Sequence, residues 1–334
     1  MSALQRRDRQ WREQQEEAGL ARLATRSADS RGREHDEPDD EFRTAFERDR
    51  DRILHSNAFR RLKHKTQVFL NPEGDHIVTR ITHTLQVAQV ARSIAVTLGL
   101  NEPLTEAIAL GHDIGHSLFG HTGEEALSSF VEGEWQHAIH GVRLVSVIEP
   151  LNLTWETRDG IRQSSWKNDP EPQTPEGMVI RYADRIAYLS HDAVDAQRAG
   201  VLAAEDFPEA AIATFGQPGS QWVDRMIRAV VNASVGAGEV TMDPQALAVM
   251  HELRDFMFQR VYLRPAAREQ ARKAIKVIRE LVEHFAATPE EIPPQTIEIT
   301  NGDLMAAAVD HVAGMTDRYA LREHDRLFRP RGPV

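Results

Sequence analysis

The sequence predicts an all-α protein, and three observations carry that expectation. Apolar residues recur three and four apart over most of the chain, the spacing of one helical face. Strand-type alternation is sparse, with "QTIEIT" at 295–300 the best short candidate. Prolines, glycines and a Ser-Asn pair cut the pattern into segments of ordinary helix length. With 334 residues, 41% of them hydrophobic, the chain can bury a substantial core.

Taken in order, residues 1–40 hold no apolar period and end in a polar run, so a mobile arm or linker is expected; the alternative is an arm folded against a neighbouring subunit. From Glu41, Phe42, Phe46, Ile53, Phe59 and Leu62 follow a helical spacing broken at Ser56-Asn57. "NPEGD" at 71–75 reads as a turn. Helical patterns recur at about 78–98, 103–115, 122–132, 138–149 and 177–197, with residues 155–177 a loop-rich insertion held between helices by its prolines and glycines. Further helices are expected at about 206–216, 220–235, 244–262, 265–287 and 302–324. The organisation is therefore an N-terminal arm (1–40), a helical core (41–200) and a C-terminal helical region (201–334) packed on it.

Composition excludes several functions. There is no cysteine, so a bound metal must use nitrogen and oxygen ligands. The charged N-terminus lacks the apolar run of a signal peptide, and no stretch approaches the roughly 18 apolar residues of a membrane span; a cytoplasmic protein without membrane partners is expected. A formal net charge of −11 argues against a coat for nucleic acid, though not against a local phosphate pocket. The basic run Arg48, Arg50, Arg52, Arg60, Arg61, Lys63 and Lys65 alternates with acids and is most simply an ion-paired helix face; a phosphate-facing or subunit-facing surface is the alternative. No glycine-rich phosphate loop is present.

The chemistry concentrates around "HDIGHSLFGH" at 112–121. At about 100° per residue, His83 shares a face with Val87, His112 with Leu104 and Ile108, and Asp184 lies on the line of Ile180, Ala183 and Ala187. Asp113 follows Ala109 by four. Each of these side chains alone is most simply a hydrogen-bonded core group. Together, two imidazoles and two carboxylates on three buried faces invite a cation, because an uncompensated buried carboxylate costs several kcal/mol. Thr122 with Glu125 reads as a capping box that starts a new helix just after His121, with Glu124 in its first turn; that pair suits proton handling.

The order His83, His112-Asp113, Asp184 resembles the H…HD…D pattern of the HD-domain metal-dependent phosphohydrolases. "DRDRILHSNAFRRLKHKTQVF", "HDIGHSLFGHTGEEAL" and "RYADRIAYLSHD" are similar to the deoxynucleoside triphosphate triphosphohydrolases, the dGTPase-like proteins. The resemblance implies an HD-domain helical core with a C-terminal extension, and a divalent metal ion (Mn, Mg, Co, Ni or Fe) on His83, His112, Asp113 and Asp184. It implies that His121, oriented by Glu124, acts at the scissile phosphate, with His116 and His137 in the same active-site wall. It assigns Arg80 and Arg185 to phosphate, and Gln67, Tyr188 and Asp192 to the sugar. The implied reaction converts deoxynucleoside triphosphates to deoxynucleoside and inorganic triphosphate. Implied partners are those nucleotides, further copies of the chain and, weakly, single-stranded nucleic acid. The alternatives are another HD-domain nucleotide phosphohydrolase (monophosphatase, cyclic-nucleotide or guanosine tetraphosphate hydrolase) or a nucleotide-binding regulator.

Overall fold

Helix-capping side chains punctuate this chain more often than its apolar pattern suggests. The computed structural model describes residues 4–67 and 78–330, so the turn expected at 71–75 lies outside the described residues. Sixteen α-helices and no sheet occur among the described residues. In chain order they are α1 (Arg9–Gly19), α2 (Ala45–His55), α3 (Asn57–Arg61), α4 (Arg80–Leu98), α5 (Glu102–Gly111), α6 (His121–Leu127), α7 (His137–Arg143) and α8 (Trp155–Arg162). There follow α9 (Pro175–Arg198), α10 (Glu209–Phe215), α11 (Ser220–Ala237), α12 (Pro244–Met257), α13 (Pro265–Ala287), α14 (Pro294–Ile299), α15 (Leu304–Ala313) and α16 (Asp317–Phe328). Short π-helical turns extend α7 through Leu144–Ile148 and α12 through Phe258–Tyr262.

Two hydrophobic cores result. In the first, α4, α5 and α9 pack on one another, with α2 and α8 against α5 and α11 against α4 and α9. Phe46, Ile53, Ile94, Ile108, Ile180, Trp222 and Met250 are fully buried there. The second joins Leu118, Phe119, Leu127 and Trp135 to Ile278, Leu281, Phe285, Val309 and Val312 from α13 and α15. Residues 202–261 therefore pack with the first core, while α13, α15 and α16 build the second against the segment around α6.

Four sequence expectations need correction. The N-terminal arm is ordered: Asp8 caps α1 by accepting from the Trp11 amide, and residues 21–35 are tied down by buried carboxylates. Glu176 accepts from the Thr25 amide and hydroxyl (3.1 and 2.7 Å), and Glu156 from the Arg31 amide (2.7 Å). Arg33 pairs with the fully buried Asp49. Polar composition marks partners for distant buried acids here, which no local period reveals. The strand candidate at 295–300 lies mostly in α14, where Pro294 occupies the first turn and preorganises a short helix. The 155–177 insertion begins with α8, capped by Thr154 and carrying Glu156 in its first turn. The helix expected at 302–324 is two, because α15 ends at Ala313 with Gly314 as its C-cap and Thr316 caps α16.

The basic run divides. Glu37 pairs with Arg48 (3.1 Å) and Arg52 (2.7 Å), and Asp51 with Arg50 (3.0 Å), as an ion-paired face would. Lys65 departs from it and is buried. No helix among the described residues is long and apolar enough to cross a membrane.

Candidate active site

Three helices converge on one group of donors. α4 opens with Arg80 and carries His83 in its first turn. α5 stops at Gly111, so His112 is its helical C-cap and Asp113 sits in the turn that follows, earlier than the expected helix end at 115. Asp184 comes from the middle of α9. His83 Nε2 lies 3.0 Å from Asp184 Oδ1 and 3.8 Å from Asp113 Oδ2. His112 Nε2 lies 3.4 Å from Asp113 Oδ1 and 3.8 Å from Asp184 Oδ1. His112 donates from Nδ1 to the Ala109 carbonyl at 2.6 Å, which leaves Nε2 as a bare lone pair. That buried nitrogen has no hydrogen-bond partner. One ligand atom each from His83, His112 and Asp184 falls within 4.8 Å of the others, a spacing a single cation can span. The orphaned nitrogen and the all-nitrogen-and-oxygen donor set fit a divalent metal ion.

The carboxylates are already anionic. Burial opposes charge on Asp113, but the Arg80 guanidinium, 2.7 Å from Oδ2, leads the interactions that outweigh it and hold the group far below the ordinary carboxylate range. Asp184 is held low in the same way, with the His83 hydrogen bond overcoming burial.

Beside this group stands a second one. α6 begins at His121 with Gly120 as its N-cap, so the expected Thr122–Glu125 capping box does not form. Gly120 has φ 59° and ψ −133°, a conformation only glycine adopts readily. Glu124 accepts from Nδ1 of His121 (2.9 Å), from Nδ1 of His137 (2.5 Å) and from the His137 amide (3.0 Å). Burial again opposes charge, yet the two imidazoles keep Glu124 well below its usual range. His116 stacks on His137 at 3.8 Å between centroids, and its Nε2 lies 3.3 Å from Asp113 Oδ1, linking the two groups. Burial, then Arg80 and His137, push His116 well below the usual imidazole range and keep it neutral. The backbones touch here: a Cβ on Gly115 would lie 2.2 Å from the His137 carbonyl oxygen. His121 itself is exposed, its side chain 72% accessible, whereas His137 is mostly covered.

The remaining site residues line the approach. Arg80 donates from Nε to the Thr66 carbonyl (3.1 Å) as well as to Asp113. Gln67, the next residue, holds its buried Oε1 unpartnered. Arg185 is buried with its guanidinium 4.0 Å above the Trp166 ring and its Nε unpartnered. Burial pushes the Tyr188 phenol up to about 12 and Asp192 up to about 8. Tyr262 donates to Asp192 at 2.8 Å. Trp166 and Tyr262 were not legible as site residues: one lies in the stretch read as an insertion, the other at the end of an ordinary amphipathic helix. Their aromatic identity was the only signal.

Comparison with known proteins identifies the family. A family model for the HD domain matches residues 80–189, and one for the phosphohydrolase-associated domain matches residues 240–326. The fold is thus that of an HD-domain phosphohydrolase, helical with a C-terminal helical extension. A deoxyguanosinetriphosphate triphosphohydrolase-like protein of Caldanaerobacter subterraneus subsp. tengcongensis is 46% identical over 93% of this chain and 93% of its own length. One from Clostridium perfringens is 41% identical over 93% and 95%. This chain belongs to the deoxyguanosinetriphosphate triphosphohydrolase-like family of HD-domain proteins. A solved structure of a hypothetical protein from Aquifex aeolicus covers 84% of this chain and 71% of its own at 20% identity, with a TM-score of 0.44. HD domains bind divalent metals, and the donor groups above are this chain's candidates.

Proposed function

We propose that this protein hydrolyses deoxynucleoside triphosphates at the α-phosphorus, releasing deoxynucleoside and inorganic triphosphate. The observation that carries the reading is the pairing of a cation-seeking donor group, with His112 Nε2 orphaned, beside a histidine–carboxylate group that faces solvent. His83, His112, Asp113 and Asp184 would hold a divalent ion, which when bound neutralises phosphate charge and lowers the pKa of water.

The chain's own residues supply the rest. Glu124 fixes the His121 ring through Nδ1, so that Nε2 is the nitrogen offered to substrate. As the bond from phosphorus to the 5′-oxygen breaks and the water oxygen bonds to phosphorus, the protonated His121 gives its Nε2 proton to that leaving oxygen; the proton the water loses passes to solvent, from which exposed His121 is reprotonated. Glu124 stabilises the imidazolium beforehand. His116 stays neutral and, stacked on His137, backs the buried side of the group while His121 remains open to substrate. Arg80 and Arg185 meet phosphate, and Gln67, Tyr188 and Asp192 meet the sugar. A tyrosine ring against the 2′ carbon would reject ribonucleotides by contact. Further copies of the chain and weak single-stranded nucleic acid binding complete the proposed partners.

Product analysis tests the reading. Purified protein with manganese or magnesium should release inorganic triphosphate and deoxynucleoside from at least one of the four deoxynucleotides. Orthophosphate or pyrophosphate as the sole inorganic product would replace it with another HD-domain hydrolase. Tight nucleotide binding without turnover would replace it with a regulator.

A further inference from the structure

His121 follows a strained stretch of backbone, braced locally only where the Ser117 hydroxyl donates to the Leu118 and Gly120 carbonyls, each at 3.2 Å. Phe119 has φ 57°, and Gly120 lies in the region that glycine alone populates readily. Two such residues in succession persist only where the surroundings over-determine them. Their side chains and amides point to what does so. Leu118 and Phe119 are buried in the second core, among residues of α13 and α15. The Phe119 amide donates to Asp317 Oδ1 at 2.9 Å. The other oxygen, Oδ2, accepts from the Thr66 amide at 2.9 Å.

Asp317 is 4% exposed and sits in the first turn of α16. Its two oxygens thus join two loops that are otherwise remote from each other in sequence, one running into Gln67 and the other into His121. A carboxylate suits this because it only accepts, and both partners are donors. Lys65 makes a second tether between the same parts: its buried ammonium donates to the His116 carbonyl and, at 3.2 Å, to the Ala313 carbonyl at the end of α15. Arg80 closes the arrangement by donating to the Thr66 carbonyl, one peptide from the amide that Asp317 holds.

We infer that Asp317 is a positioning residue: through the Phe119 and Thr66 amides, the C-terminal helical region sets the backbone that presents His121 and Gln67. The inference rests on the catalytic reading of His121 given above. It also assigns a task to residues of the phosphohydrolase-associated segment, which contributes no donor to either histidine group.

The test compares wild type with Asp317→Asn by hydrogen exchange and kinetics. An amide in place of the carboxylate turns one acceptor into a donor, so one of the two loop amides loses its partner. Exchange at residues 117–120 or 65–67 should accelerate. Turnover of deoxynucleoside triphosphate should fall about 10- to 100-fold, with KM raised a few-fold as Gln67 moves with Thr66 and manganese content unchanged. Val230→Ala, which trims the first core away from both loops, should lower Tm while leaving loop exchange and turnover as in wild type. Lys65→Met provides the second variant should Asp317→Asn fail to fold, and it should loosen residues 116–120 likewise. Unchanged exchange in these loops, or looser loops with full turnover, would overturn the inference. Wild-type protein without turnover would sink the catalytic reading, while the exchange comparison would still decide whether Asp317 holds the loops.

Discussion

In the group of His83, His112 and Asp184, the Nε2 of His112 meets no protein partner; in the group of His121, Glu124 and His137, both imidazoles give their Nδ1 to one carboxylate. The residue types are nearly the same. What differs is how much of each group the protein completes by itself. The first is largely buried, its carboxylates anionic and its His112 lone pair unmatched, which is the condition of a site that wants a cation. The second has its acceptor saturated by three donors and keeps one imidazole exposed, which is the condition of a site that meets a substrate. Identical chemistry thus takes different roles according to which nitrogen the surrounding backbone leaves bare.

Removing a donor from the first group should have the largest effect. His112→Ala or Asp113→Ala is expected to lower manganese affinity by at least about 100-fold and to abolish turnover together with it. Metal content after dialysis checks this, and stoichiometric metal in either variant would break the contrast. His121→Ala should do the opposite to metal and the same to rate: full metal content with turnover down about 10²- to 10⁴-fold. Near-normal turnover would take His121 out of the chemistry.

Smaller effects sharpen the comparison. Replacing Asp192 by Asn probes an acid that burial pushes up to about 8, the reverse of Glu124. The unfolded chain releases that proton near about pH 4. Wild type should therefore lose stability relative to Asp192→Asn as pH rises from about 4, with the loss levelling above about 8. Thermal melts across that range decide it, and a pH-independent difference would contradict the shift. Tyr262→Phe should give the least change. It removes one buried hydrogen bond, about 1 kcal/mol, and a KM rise of a few-fold for nucleotide is the expected readout. An unchanged KM would place Asp192 outside the nucleotide pocket.

How much of this was legible depends on distance along the chain. The faces of His83 and Asp184 followed from their spacing to Val87 and Ala187, because positions four apart on a helix are neighbours whatever surrounds them. The Ser56 break, the start of α12 at 244 and the helical character of nearly every segment were equally local. The expectation of a loose N-terminal arm failed because Thr25 finds Glu176 some 151 residues away, and a polar run does not announce its distant acceptors. The strand expected at 295–300 failed because its alternation was too short to outweigh Pro294.

By itself, then, the sequence determined most of the helices, the ligand-type residues and the faces on which they lie, all properties of periodicity within one or two turns. Only the tertiary structure decided which nitrogen stays bare, which acid is held charged or neutral, and that Asp317 reaches amides 251 and 198 residues back. Those outcomes depend on burial and on hydrogen bonds between segments that share no local pattern, and they exist only once the two cores have closed around the site.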